Sequence, residues 1–250
     1  MGMHSPVEQF QVHDMSAPLF ELGGHAITFT NFSLGAVLAV LCGTLLVVLP
    51  MLRRSVIPGR FQVLIEMMYK MIENLILDAA GPKARPFLPF IFSIFVFIMT
   101  SNLLGLIPGV YTVTSQFVAN LLLAVGVIGV VLVTGFVKHG LHFFHVFVPS
   151  GVPAFLVPVI APIEVVSFFI RPFSLSLRLF ANMLAGHILL KVFAGMTAAV
   201  ATSGLVASVG ILPLVINVII VGFEIFVALL QAYIFTILSS VYLRDALEMH

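Results

Sequence analysis

Residues 174–187 read SLSLRLFANMLAGH, a stretch in which Arg178 interrupts an apolar run. A cation at a bilayer centre costs about 2.5–3.5 kcal/mol on insertion scales. Arginine has no escape by deprotonation, because its pKa lies above about 12. Advancing 100° per residue from Glu164 places Ser167, Arg171, Ser174, Arg178 and Asn182 in one sector about 80° wide. Phe168, Phe169, Leu177 and Leu184 point elsewhere. His187, nine residues beyond Arg178, falls about 180° around the same helix. Downstream, Glu224 is the only charged residue between positions 192 and 243. Asn217, Glu224 and Gln231 recur every seven residues, which keeps them within about 40° of one another.

Two polar stripes on two adjacent apolar helices are expected to wall a hydrated path. Arg178 and Glu224 read as functional, since intramembrane ionisable groups mark ion pathways and proton relays. His187 suits proton exchange near neutral pH, with Glu224 as its candidate partner. Asn182, Asn217 and the serines fit equally well as interhelical hydrogen-bond glue. Lys191, near a helix end, can snorkel and is given no role.

The rest of the chain agrees with a membrane setting. Of 250 residues, 61% are hydrophobic and 8% charged, with a net charge of +1. Soluble domains carry about 25% charged residues. The near-zero charge gives no basis for nucleic-acid binding. Cys42 is the only cysteine, so no internal disulfide forms and it reads as a small apolar residue. No basic segment with an apolar core precedes a cleavage site, so no removable signal is expected.

A membrane-crossing helix needs about 20 apolar residues. Residues 32–52, 87–106 and 117–137 qualify as spans. Arg53, Arg54, Arg60, Lys70, Lys83 and Arg85 concentrate between the first two. The positive-inside rule then places this loop in the cytoplasm, the N-terminal segment (1–30) outside and the C-terminus inside. Within the loop, Phe61, Leu64, Ile65, Met68, Ile72, Leu75 and Ile76 recur at helical spacing, predicting an interfacial amphipathic helix over 60–80. A stretch with Pro149, Pro153, Pro158 and Pro162 follows the third span. Residues 164–200 then read as one helix about 55 Å long, which must tilt or bend in a bilayer. A reversal at Thr202-Ser203-Gly204 leads into a returning arm, 205–243. The expected fold is an all-α membrane protein forming one integral membrane domain: about five embedded helices, one interfacial helix and a long, steeply tilted C-terminal hairpin.

His139, His142 and His145 in KHGLHFFH spread around a helix at their spacing of three, so no metal site is expected. SNLLGLIPG (101–109) reads as a helix end in which Asn102 caps, packs or lines a path. No phosphate loop or nucleophile–base pair implies an enzyme or a cofactor.

SLSLRLFANMLAGH together with LLQAYIFTILSSVYL (229–243) resembles the subunit a family of the F-type ATP synthase, and SNLLGLIPG is similar to that family's second-span motif. The resemblance implies a non-catalytic subunit of the proton-transporting complex. Such a subunit gives a ring of c subunits two half-channels, so that proton flow drives rotation and ATP synthesis. It implies that Arg178 faces the ring, that Asn182 and Gln231 lie beside it, and that Glu164 matches an acidic position of the family. His187 and Glu224 match a pair lining the inlet half-channel, with acid and imidazole exchanged relative to many bacterial relatives, as in mitochondrial forms. Some relatives carry an acid where this chain has Gly105. Ser174, Arg171, Asn102 and Asn217 remain weaker candidates. Implied partners are the c-subunit ring, b-type peripheral-stalk subunits and the rest of the synthase, with protons as the transported species and no cofactor. The implied location is a bacterial inner membrane, with the mitochondrial inner membrane as the alternative. The rival reading is a secondary transporter whose Arg178 binds an anionic substrate. Such proteins show paired repeats and matching broken helices, and neither is evident in this sequence.

Overall fold

The computed structural model describes residues 12–15, 20–22, 25–52, 57–107, 110–140, 155–202 and 207–247. Arg53, Arg54, Pro108, Gly109, His142, His145, Pro149, Pro153, Ser203 and Gly204 lie outside the described residues, as do 1–11 of the N-terminal segment. Among the described residues there are six α-helices: α1 (Asn31–Leu52), α2 (Arg60–Ala80), α3 (Leu88–Gly105), α4 (Phe117–His139), α5 (Val157–Thr202) and α6 (Ala207–Leu247). Five stretches, within α1, the segment Pro82–Gly105, α4, α5 and α6, are long and apolar enough to cross a membrane.

Local chemistry explains several helix limits. Thr30 caps α1, its Oγ1 accepting the Ser33 N–H at 3.3 Å, which satisfies one of the donors every helix start leaves over. Ahead of α1, an antiparallel pair, β1 (Phe20–Leu22) and β2 (His25–Ile27), aligns Phe20 with Ile27 and Leu22 with His25. Sequence reasoning missed this ribbon, although Gly23-Gly24 between two short runs is a hairpin signal. α5 begins at Val157, seven residues before Glu164, and continues through Pro162 and Pro172. Proline fits a first turn and interrupts only one backbone bond deeper in, so Pro158 and Pro162 belong to the helix and not to a loop.

The chain divides into two compact units, and α1, α3, α5 and α6 each contribute a segment to both. The first comprises Met1–Thr44, Phe97–Gln116 and Leu179–Gln231. In it Ala39, Ile98, Leu179 and Ala228 are buried, and Thr100 Oγ1 donates to the Ala39 carbonyl at 3.2 Å. The second comprises Leu45–Val96, Phe117–Arg178 and Ala232–His250. Its core gathers Ile128, Val131, Phe168, Tyr242 and Ala246, with Leu132 and Leu238 against it.

Candidate functional site

In the first unit, α5 and α6 bring a carboxylate against a glycine. Glu224 is buried on α6. A Cβ at Gly186 of α5 would overlap its Oε1 and lie 2.9 Å from its Cδ. Only glycine leaves room for the acid at this point. Neither carboxylate oxygen has a hydrogen-bond partner among the described residues. His187 follows Gly186 directly on α5.

The loop after α3 reaches the same histidine. Thr112 Oγ1 lies 3.1 Å from His187 Nε2 and donates to the Gly105 carbonyl at 3.5 Å. Ser115 Oγ donates to the Thr112 carbonyl at 2.6 Å and holds that turn. Burial pushes the Tyr111 phenol in this loop above its ordinary pKa, against the opposing hydrogen bond from Gln116.

The remaining polar candidates of the first unit are partly satisfied. Asn102 is fully buried, and its Nδ2 donates to the Ala228 carbonyl at 3.3 Å, tying α3 to α6. Its Oδ1 has no partner among the described residues, nor do Ser101 Oγ and Asn217 Oδ1. Asn182 Nδ2 donates to Gln231 Oε1 at 3.1 Å, while Gln231 Nε2 is buried without a partner among the described residues. Buried polar atoms are nearly always paired, and orphans along α3 and α6 are chemistry suited to ordered water.

The second unit treats its charges differently. Arg171 Nη1 donates to Asp245 Oδ2 at 3.0 Å, and Nη2 donates to Glu164 Oε1 at 3.2 Å. The guanidinium also sits 5.4 Å from the Tyr242 ring centroid and 6.0 Å from that of Phe168. Glu164 and Arg171, expected on the polar stripe, are thus partners in one ionic cluster. Arg178 is exposed on α5, as is Ser174, and forms no ion pair with an acid among the described residues. Sequence reasoning overlooked Gly186, Thr112 and Asp245. Asp245 was legible, because it stands two seven-residue steps beyond 231 in the series 217, 224 and 231, with Leu238 between. Gly186 and Thr112 carry no such pattern.

Residues 32–244 match the family described as ATP synthase A chain. A protein named ATP synthase subunit a from Allorhizobium ampelinum is 49% identical over 199 residues, covering 80% of this chain and 79% of its own. Its namesake from Rhizobium leguminosarum bv. trifolii is also 49% identical over 199 residues, covering 79% and 78%. ATP synthase subunit a 1 from Brucella anthropi is 48% identical over 198 residues, covering 79% of each chain. The match spans every long apolar helix and both polar stripes, and this multi-pass membrane protein belongs to the ATP synthase A chain family.

Proposed function

We propose that this chain is the proton-conducting stator subunit of a bacterial F-type ATP synthase, non-catalytic in itself, working against a ring of c subunits. The observation that carries the reading is the contrast between Arg178, exposed and without an ion-paired acid among the described residues, and Glu224, buried against Gly186, the residue before His187. A carboxyl group on the ring is neutral in lipid, because desolvation disfavours its charge. Opposite Arg178 the ionised form is favoured and the proton leaves through one half-channel. A new proton arrives through the other by way of Glu224 and His187, with Asn182, Gln231, Asn102 and Asn217 holding the water it travels in. The fixed guanidinium repels a proton crossing directly between the two wet paths. Each elementary charge moved through 100 mV supplies about 2.3 kcal/mol. An imidazole–carboxylate pair suits protons better than a hard cation, which prefers several oxygen ligands.

The same reading seats the whole chain as one integral domain of the inner membrane, with α2 on the cytoplasmic interface, the N-terminus outside and the C-terminus inside. The peripheral-stalk subunits and the remainder of the synthase are its other partners. The decisive test is Arg178→Ala in the assembled complex, reconstituted in vesicles. Proton-driven ATP synthesis is expected to vanish while the ring still co-purifies. Normal synthesis by that variant would refute the reading.

A further inference from the structure

The contact between a loop hydroxyl and His187 has a consequence for how the imidazole handles its proton. Thr112 is buried, and its single hydroxyl proton faces two neighbours. The Gly105 carbonyl, 3.5 Å away, can only accept. It is one of the last carbonyls of α3, which a helix end leaves without an intrahelical donor. The His187 Nε2, 3.1 Å away, can accept or donate. Satisfying both contacts with one proton requires Thr112 to donate to the carbonyl and to accept from Nε2–H. A neutral imidazole carrying its hydrogen on Nε2 has its lone pair on Nδ1.

The arrangement depends on Gly105. A Cβ there would lie 2.5 Å from Thr112 Cγ2 and 2.8 Å from its Oγ1, so any side chain at 105 pushes the threonine off the helix end. The absence of a side chain at 105 thus coincides with a hydroxyl placed against the imidazole. Ser115 fixes the same turn through the Thr112 carbonyl.

We infer that Thr112 is a positioning residue that anchors His187 through Nε2 and confines proton exchange to Nδ1. The inference rests on the relay role of His187 proposed above. In each turnover one N–H bond forms at Nδ1 as a proton arrives from the hydrated path. The same bond breaks as that proton leaves, and Nε2–H stays bonded to Thr112 throughout. The ring therefore conducts without turning over, since the anchored nitrogen never exchanges its role.

The test uses the assembled complex in vesicles, with proton flux normalised to the amount of complex. Thr112→Val, which keeps the shape and removes the hydroxyl, is expected to lower flux about three- to tenfold, the value of one hydrogen bond. Thr112→Ser should retain near-native flux, and Gly105→Ala should fall with the valine variant. In a His187→Gln background, Thr112→Val should cost nothing further, because its effect passes through the ring. Solid-state nitrogen NMR of the native complex, with the His187 signal assigned by its loss in His187→Gln, should show the neutral ring protonated at Nε2. A ring protonated at Nδ1, native flux in Thr112→Val, or an undiminished loss in the His187→Gln background each overturns the anchoring role. If His187→Gln alone leaves flux unchanged, the relay reading itself fails and the anchor falls with it.

Discussion

Arg171 and Arg178 stand seven residues apart on α5, on one face of one helix, and the protein deals with them in opposite ways. Around Arg171 two carboxylates and two aromatic rings answer the charge. Nearby hydroxyls are likewise spent on their own helix, with Thr236, Ser239 and Ser240 each bonding the carbonyl four residues back. Among the described residues Arg178 has no such acid. In the first unit Glu224, Asn102, Asn217, Gln231 and Ser101 keep buried lone pairs or N–H groups unmatched by any described residue. In the second unit one orphan, His139 Nε2 at the end of α4, occurs among the described residues. Charge in an apolar setting is thus closed off in one region and left available in the other. An available buried charge is costly unless something completes it, and the function proposed above takes the first region and the exposed Arg178 as its working parts.

The largest effect is expected from exchanging the treatment of the two arginines. Arg178→Met should assemble normally and lose all coupled synthesis, whereas Arg171→Met should keep coupling in whatever complex forms. Equal coupling losses per complex would erase the distinction. Next comes Gly186→Ala, whose methyl group displaces the Glu224 carboxylate. Proton flux should drop about tenfold, a change equivalent to about 1.4 kcal/mol in the barrier, because the displaced carboxylate leaves its place on the path, and adding the shorter Glu224→Asp should restore part of it. Native flux in Gly186→Ala alone would show that the close approach is incidental. For Arg171→Met, thermal denaturation of the detergent-solubilised complex should reveal a loss of about 1–3 kcal/mol, between an exposed and a fully buried ion pair. Unchanged stability would mean the cluster contributes no net stabilisation. The smallest change belongs to Asn182→Ala. Flux should fall about two- to threefold through loss of its bond to Gln231, and an effect as large as that of Gly186→Ala would promote Asn182 from support to essential conductor.

The helices were legible in the sequence because burial in lipid demands long apolar runs, and hydropathy records them directly. The 100° wheel likewise exposed the stripe on α5, since the face of a helix is a local property. It failed to separate Arg171 from Arg178, because the difference is made by Asp245, 74 residues away on another helix. Gly186 looked like an ordinary small residue until Glu224 was seen packed on it. Thr112 gave no signal at all: a loop hydroxyl is common, and its meaning comes from the histidine it meets. The start of α5 lies seven residues before the expected one, because prolines at 158 and 162 read as breakers, whereas the first turn tolerates Pro158 and the helix continues through Pro162.

The ionic cluster on α5 also bears on how the chain is made. Asp245 is translated 74 residues after Arg171, a delay of about 4–15 s at ordinary elongation rates of about 5–20 residues per second. During that interval the guanidinium must be threaded into the bilayer without its second counter-ion. Glu164, two helical turns upstream and already synthesised, is placed to chaperone the charge through the insertion machinery until the last helix arrives to lock it.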